Sequence, residues 1–218
     1  MASAGRLTGR VALITGGGGE IGGAIARLFA REGAEIAVAD LDLDKAESVA
    51  RSIGQTGGRA QAFGADVADE ASAKSAVART VEAFGKLTTL VNVAATITPD
   101  GTVETLSLEQ WNKAIAVNLT GAFLMCKFAV SELRRSGAGS IINIASQLGH
   151  LGVPSRSPYC TTKAALIHFT RILAMDHAAD NIRANTISSG CILTERIFLM
   201  AGPFVESERP PVGLPQAV

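Results

Sequence analysis

Along this chain, short and almost wholly apolar runs alternate with longer segments in which apolar positions recur every three or four residues. An unbroken apolar run reads as a strand buried on both faces, and a 3.6-residue period reads as a helix with one buried stripe. Strands are therefore predicted at 10–15 (RVALIT), 35–39 (EIAVA), 59–63 (RAQAF), 88–92 (TTLVN), 140–145 (SIINIA) and 182–187 (IRANTI). Helices are predicted over 21–32, 42–52, 69–84, 108–135 and 157–178, the fourth with a soft spot at Gly121. In the first helix Ile21, Ile25, Leu28 and Phe29 carry the apolar spacing, and Gly33 marks its stop. This alternation predicts an α/β fold, a doubly wound parallel sheet of the Rossmann type with six strands in the order 3-2-1-4-5-6. Residues 202–218 hold four of the seven prolines and no period. The expected organisation is a single domain over 1–200 and an irregular tail over 201–218.

Composition narrows the class. With 47% apolar and 18% charged residues, 218 residues are enough to bury a core without disulfides. A formal net charge of zero gives no electrostatic reason to expect nucleic acid or an anionic membrane as partner. Cys126, Cys160 and Cys191 fit no zinc spacing and read as reduced thiols. The start, MASAGRLTGR, lacks an apolar core of the signal-peptide kind, and no apolar run approaches the ~18 residues of a membrane span. A soluble, cytoplasmic protein is expected.

Two stretches carry candidate chemistry. TGGGGEIGG, Thr15 to Gly23, lies between the first strand and the first helix. Without a Cβ, backbone there can approach a pyrophosphate, and the helix start offers unpaired N–H groups; a plain tight turn gives the same string. Asp40 ends the second strand, 18 residues after Gly22. A carboxylate at that place accepts hydrogen bonds from both ribose hydroxyls of an adenosine and repels a 2′-phosphate, which favours NAD over NADP. The second stretch is YCTTK, 159–163, which contains the only tyrosine of the chain. Residues i and i+4 share a helical face, so Tyr159 and Lys163 can meet one bound molecule. A nearby ammonium and a positively charged nicotinamide ring both favour a phenolate over a phenol. The competing reading of YCTTK is a surface pair on an amphipathic helix.

TGGGGEIG, NVAA at 92–95, Asn118, Ser146 and YCTTK together resemble the short-chain dehydrogenase/reductases of single-domain architecture, over about residues 7 to 200. Ser146 stands 13 residues before Tyr159, behind a strand reading IINIA, which makes the match specific. The resemblance implies an NAD-dependent enzyme moving a hydride between the cofactor and a secondary alcohol or its ketone. Tyr159 would be the proton donor in reduction and the acceptor in oxidation. Lys163 would hold the nicotinamide ribose, Ser146 the substrate oxygen, and Asn118 a water linking Lys163 to solvent. The implied cofactor contacts are Gly16, Gly19, Glu20, Ile21 and Gly22 of the turn, Asp40, Asp66, Val67, Asn92, Ala94, Lys163 and Thr194. Val67 would act through its backbone. Asp66 could equally be a solvated acid, and Thr194 equally a helix cap. The resemblance also implies a homodimer or homotetramer formed through the helices at 108–135 and 157–178.

The sequence departs from the family pattern in four places, the mildest being Ser189-Gly190 where the family has Pro-Gly after the last matched strand. Glu20 replaces the middle glycine of the phosphate turn, and it is expected to face solvent and support the helix start. NVAA stands where the family has NNAG, which places Ala95 at a glycine position. The chain ends at Val218, before the seventh strand that family members usually have, so strand six is expected to be an open sheet edge. These departures keep a second reading open, a dinucleotide-binding, oligomer-forming protein with little catalysis. The substrate would lie between 147–158 and 191–204, lined by Leu148, Leu151, Val153, Ile192, Leu193, Phe198, Leu199 and Met200. That lining suits an uncharged, fairly apolar alcohol or ketone. His150 and Arg156 read as exposed loop residues in preference to binders of an acidic group.

Overall fold

Leu13 on one face of the first strand, and Ala12 and Ile14 on the other, enter two separate apolar cores. A strand can feed two cores only when both sheet faces are covered, and that covering requires helical crossovers. The computed structural model describes residues 5–96, 98–192 and 194. The chain forms two compact units, Met1–Ser188 and Ser189–Val218, and every element named below belongs to the first. The boundary expected at residue 200 lies outside the described residues.

The strands are β1 (Val11–Thr15), β2 (Glu35–Asp40), β3 (Ala60–Gly64), β4 (Thr89–Asn92), β5 (Gly139–Ile144) and β6 (Ile182–Ile187). They form one parallel sheet in the order β3-β2-β1-β4-β5-β6, as the sequence pattern predicts. Helices α1 (Glu20–Arg31) and α2 (Leu43–Gln55) contribute to the core that holds Ile36, Val38, Ile53 and Val91. Helices α3 (Glu70–Phe84) and α5 (Gly121–Arg135) contribute to the core of Phe63, Leu90, Met125, Leu133 and Ile141. Helix α4 (Leu108–Ile115) leads into α5, and α6 (Ser157–Asp176) packs against β5 and β6. Side chains set several helix starts. Asp42 accepts from Lys45 N, Asp69 accepts from Ser72 N, and Ser107 forms a reciprocal capping box with Gln110.

The structure refines one sequence expectation and corrects another. The buried residues of α1 are Gly22, Gly23 and Ala26, while Leu28 is 42% exposed. Ile25 and Phe29 pack against the core, as the apolar spacing predicts, while Gly22 lies against the glycine turn and Gly23 against Val49 of α2. The run Leu108–Arg135 is, by length and composition, apolar enough to cross a membrane. Its hydrophobicity serves the core: Leu124, Met125, Cys126, Ala129 and Leu133 are buried, and α5 packs on α3, β4 and β5. Burial on one face and partial exposure on the other is the behaviour of a core helix. Within this run the expected soft spot is a widened, π-helical turn over Ala116–Thr120, centred on buried Asn118 and ending just before Gly121. At the margin of the sheet, β6 buries Ile182 and Ala184 and exposes Arg183, Asn185 and Ile187, so it alternates where an inner strand would be apolar throughout.

Candidate active site

The register aligns Thr15 of β1 with Asn92 of β4, and Asn92 with Asn143 of β5. Between β1 and β4 the strand order reverses, and crossovers leave the sheet in opposite directions there. That geometry opens a crevice at the carboxyl ends of the strands. The loops that follow β1, β2, β4 and β5 all meet this rim.

At the β1 end, Gly16 has a φ of +62°, a region open to glycine at little cost. A Cβ on Gly16 would lie 2.8 Å from Ala94 N, and a Cβ on Gly22 would lie 2.2 Å from Gly16 O. Three stretches of bare backbone therefore stack: the start of α1, the glycine turn and the loop after β4. The Thr15 hydroxyl fixes the third of these, accepting from Val93 N at 3.2 Å and Ala94 N at 3.3 Å. Gly19 is the N-cap residue of α1 with no side-chain cap, so the first N–H groups of the helix are left to other partners. Glu20 is exposed in the first turn, as expected, and Ile21 is half-buried.

Asp40, at the end of β2, is joined to this turn. Its Oδ2 accepts from Gly18 N at 2.9 Å, and its Oδ1 accepts from Asp42 N at 3.0 Å. Each carboxylate oxygen keeps further accepting capacity. Asp66 is exposed, with Oδ1 accepting from Ala68 N at 2.9 Å, while the Val67 side chain is buried. The Asn92 side chain turns into the protein. Its Nδ2 donates to Asn143 Oδ1 at 2.8 Å and lies 3.6 Å from Cys126 Sγ. Asn143 Nδ2 in turn donates to Thr170 Oγ1 of α6 at 2.7 Å, so a buried polar ladder ties β4, β5 and α6 together. Burial pushes the Cys126 thiol up to about 12, against a smaller opposing effect of the Asn92 contact, so this cysteine stays a neutral core residue.

Across the crevice, α6 presents Tyr159 and Lys163. Lys163 is 3% exposed, and its Nζ donates to Ile144 O at 2.7 Å and sits 5.7 Å from the centre of the Tyr159 ring. Ile144 ends β5, two residues before Ser146. Ser146 is buried and opens a short 3₁₀ turn, Gln147–Gly149, with its hydroxyl accepting from Leu148 N. Gly149 lets that turn rest directly on α6, because a Cβ there would meet the Lys163 carbonyl carbon at 2.9 Å. Asn118 joins the group from the widened turn. Its Oδ1 accepts from Thr96 N at 2.8 Å, and its Nδ2 donates to Thr162 Oγ1 at 3.4 Å. Thr162 donates to the carbonyl of Tyr159 at 3.0 Å. Tyr159, Lys163, Ser146 and Asn118 are thus connected through neighbouring contacts.

A family model described as short chain dehydrogenase matches residues 10–197. The chain belongs to the short-chain dehydrogenase family. A 2,5-dichloro-2,5-cyclohexadiene-1,4-diol dehydrogenase of Sphingobium indicum is 46% identical over 187 residues, 86% of this chain and 74% of that protein. A D-threitol dehydrogenase of Mycolicibacterium smegmatis is 38% identical, over 87% of this chain and 73% of that protein. Among solved structures, an NAD⁺-bound xylitol dehydrogenase superposes with a TM-score of 0.83 at 34% identity, covering 85% of this chain and 71% of that one. A dehydrogenase/reductase of Sinorhizobium meliloti superposes with a TM-score of 0.82 at 36% identity, covering 87% and 75%.

Sequence reasoning missed four contacts around the candidate site: Thr15 as the clasp on the loop after β4, Thr162 as the bridge to Asn118, Gly149 as the seat of the Ser146 turn, and Asn143 in the ladder. Thr162 lies inside YCTTK, and the i, i+3 relation to Tyr159 was available there. Of the expected substrate lining, Leu148 is half-buried, whereas Leu151 and Val153 are exposed by 59% and 41%. His150 is exposed, with Nε2 3.1 Å from Ser188 Oγ. Arg156 is half-buried and paired with Asp100 at 2.8 Å, a partner that the loop reading did not foresee. Leu193, Phe198, Leu199 and Met200 lie outside the described residues. Thr194 belongs to the second unit.

Proposed function

We propose that this protein is an NAD(H)-dependent oxidoreductase acting on a secondary alcohol or the corresponding ketone. The observation that carries the reading is the buried Lys163 ammonium, held by Ile144 O beside the Tyr159 ring, at the same sheet rim as the glycine turn and Asp40. The residues fit a dinucleotide on structural grounds. Gly16 and Gly22 leave a cradle that a Cβ would fill, the start of α1 is uncapped, and Asp40 is already oriented by the turn. Gly16, Gly19, Glu20, Ile21 and Gly22 would border the pyrophosphate, Asp40 the adenosine ribose, Asp66 and Val67 the adenine. Asn92, Ala94 and Lys163 would border the nicotinamide half, Asn92 by its backbone alone because its side chain faces the core.

When bound, the nicotinamide supplies the hydride acceptor in oxidation and the donor in reduction. The protein's residues manage the proton and the geometry. Tyr159 takes the hydroxyl proton of an alcohol or returns it to a ketone oxygen, Ser146 hydrogen-bonds that same oxygen, and Lys163 places a fixed positive charge beside the phenol. Asn118 braces the turn on which Tyr159 stands. The relatives named above act, by their names, on one diol and two polyols, D-threitol and xylitol, which supports a small alcohol as substrate. Titration with NADH followed by turnover over an alcohol and ketone panel tests the reading. Asp40→Ala is expected to weaken NADH binding about tenfold or more, the scale of a hydrogen bond to a charged group, and to narrow any preference over NADPH. NADPH preferred by the unaltered protein would overturn the assignment of Asp40. The second reading, nucleotide binding with little catalysis, rests on Glu20 in the first turn of α1 and predicts NADH binding with no turnover across the panel.

Self-association through α5 and α6 is part of the same proposal. Leu119, Thr120, Phe123, Ala165, His168 and Phe169 line an open apolar groove, in which the Phe123 and Phe169 rings are 6.2 Å apart and Phe123 is 46% exposed. A second copy of the chain is the occupant this groove suits. Light scattering is expected to give a dimer or tetramer, and Phe123→Glu a monomer. A monomeric parent protein would overturn the proposal.

A further inference from the structure

Tyr159 occupies a poorly anchored place in its helix. It is the third residue of α6, and Arg156, the N-cap residue, makes no side-chain cap. The first turn of a helix has unpaired N–H groups and frays first. A proton-transferring group needs its position fixed to within ~0.5 Å. The proline before Tyr159 presets one φ angle, which is not enough to fix the approach of the whole turn.

The loop after β4 supplies the missing restraint. Gly101 N donates to Ser155 O at 2.9 Å, Gly101 and Arg156 form an isolated parallel bridge, and Arg156 Nε lies 2.8 Å from Asp100 Oδ1. Ser155 has a φ of +62°, a left-handed conformation that a serine keeps only when its surroundings hold it there. Its carbonyl is the one that Gly101 takes. The same loop is fixed on its other side where Thr96 N donates to Asn118 Oδ1. From Asn118 the contact continues through Thr162 to the Tyr159 carbonyl. One loop therefore grips the first turn of α6 at two points, at its root through Asp100 and Gly101, and from within the site through Asn118.

We infer that Asp100 and Arg156 are positioning residues: their ion pair latches the loop after β4 to the root of α6 and sets the placement of the Tyr159 hydroxyl. This inference rests on the reading of Tyr159 as the proton-transfer group. The Asp100 side chain is 59% exposed and that of Arg156 28% exposed. Surface pairs of this kind add little to global stability. A latch of that type shows itself in rate and not in melting temperature, and this separates it from a structural role.

The test uses the full chain with Asp100→Asn, Arg156→Gln and the exchanged pair Asp100→Arg with Arg156→Asp. Five quantities are measured: kcat, KM, NADH affinity, melting temperature, and amide hydrogen exchange of the first α6 turn. Each single change is expected to lower kcat about 10- to 100-fold, the cost of a misplaced reacting group. Melting temperature and NADH affinity should hold, exchange of the Cys160 amide, which donates to Arg156 O at the base of this turn, should quicken, and the exchanged pair should recover most of the rate. Single variants with kcat within about twofold of the parent, or an exchanged pair no better than either single, would overturn the latch. If the parent shows no turnover, the proposed function fails, and the exchange measurement decides the latch alone. Faster exchange in the single variants then supports it, and unchanged exchange overturns it.

Discussion

Tyr159→Phe is expected to lower kcat by about 10² to 10⁴, the contribution of a positioned general acid or base, and to leave NADH affinity within about twofold. The substitution removes one oxygen and keeps the ring that lies 5.7 Å from Lys163 Nζ. Among the described residues the phenol oxygen has no hydrogen-bond partner, so its loss strands no donor or acceptor and the melting temperature should not move. Cofactor binding should survive because the glycine turn, Asp40 and Lys163 keep every contact seen in the structure. Loss of rate with binding intact is the signature of a group used in the transition state. Steady-state turnover on the best alcohol of the panel, together with an NADH titration, measures both. Turnover of the Phe variant within about tenfold of the parent would remove Tyr159 from the mechanism, whatever the family resemblance implies.

The sheet and the candidate site were legible in the sequence for different reasons. A parallel sheet covered on both faces follows from a run such as VALI, 11–14, which is apolar at every position because Leu13 feeds one core while Ala12 and Ile14 feed the other. The glycine turn, Asp40, Ser146 and the Tyr159–Lys163 pair are local strings at fixed spacings, and a string survives reading without coordinates. What stayed hidden depends on pairs distant in sequence. Asp100 meets Arg156 and Asn92 meets Asn143 only because loops and strands are brought together, and no local period encodes that. The apolar spacing of α1 correctly marks Ile25 and Phe29 as facing the core, while the burial of Gly22 and Gly23 depends on the glycine turn and on Val49 of α2, which no period within α1 encodes. Gly121 signalled a weak point in the long helix, yet the widening falls on the turn before it, where the Asn118 side chain bonds Thr96 and Thr162 across to other elements.

Gly22→Ala is expected to weaken NADH binding at least about 100-fold, well beyond the loss of any single hydrogen bond, and to lower stability by about 1–3 kcal/mol through overpacking. The added methyl would sit 2.2 Å from Gly16 O, 2.8 Å from Gly16 C and 2.9 Å from Gly17 Cα. All three are backbone atoms, so no side-chain rotation relieves the clash. Gly16 has no room to retreat, because a Cβ on it would already stand 2.8 Å from Ala94 N, and Thr15 clasps that loop in place. The strain therefore passes to α1 or to the turn, and either movement displaces the uncapped N–H groups that the proposed pyrophosphate contact requires. Gly19→Ala is the comparison. Its Cβ would find Gly16 O at 3.4 Å, an ordinary contact, and its φ of −75° suits alanine. Gly19→Ala should lower the melting temperature by no more than the few degrees that alanine at an N-cap costs, and Gly22→Ala by clearly more. Equal melting temperatures for the two variants would show that the backbone stack is not tight, and with it would go the structural basis for a cofactor cradle at this turn.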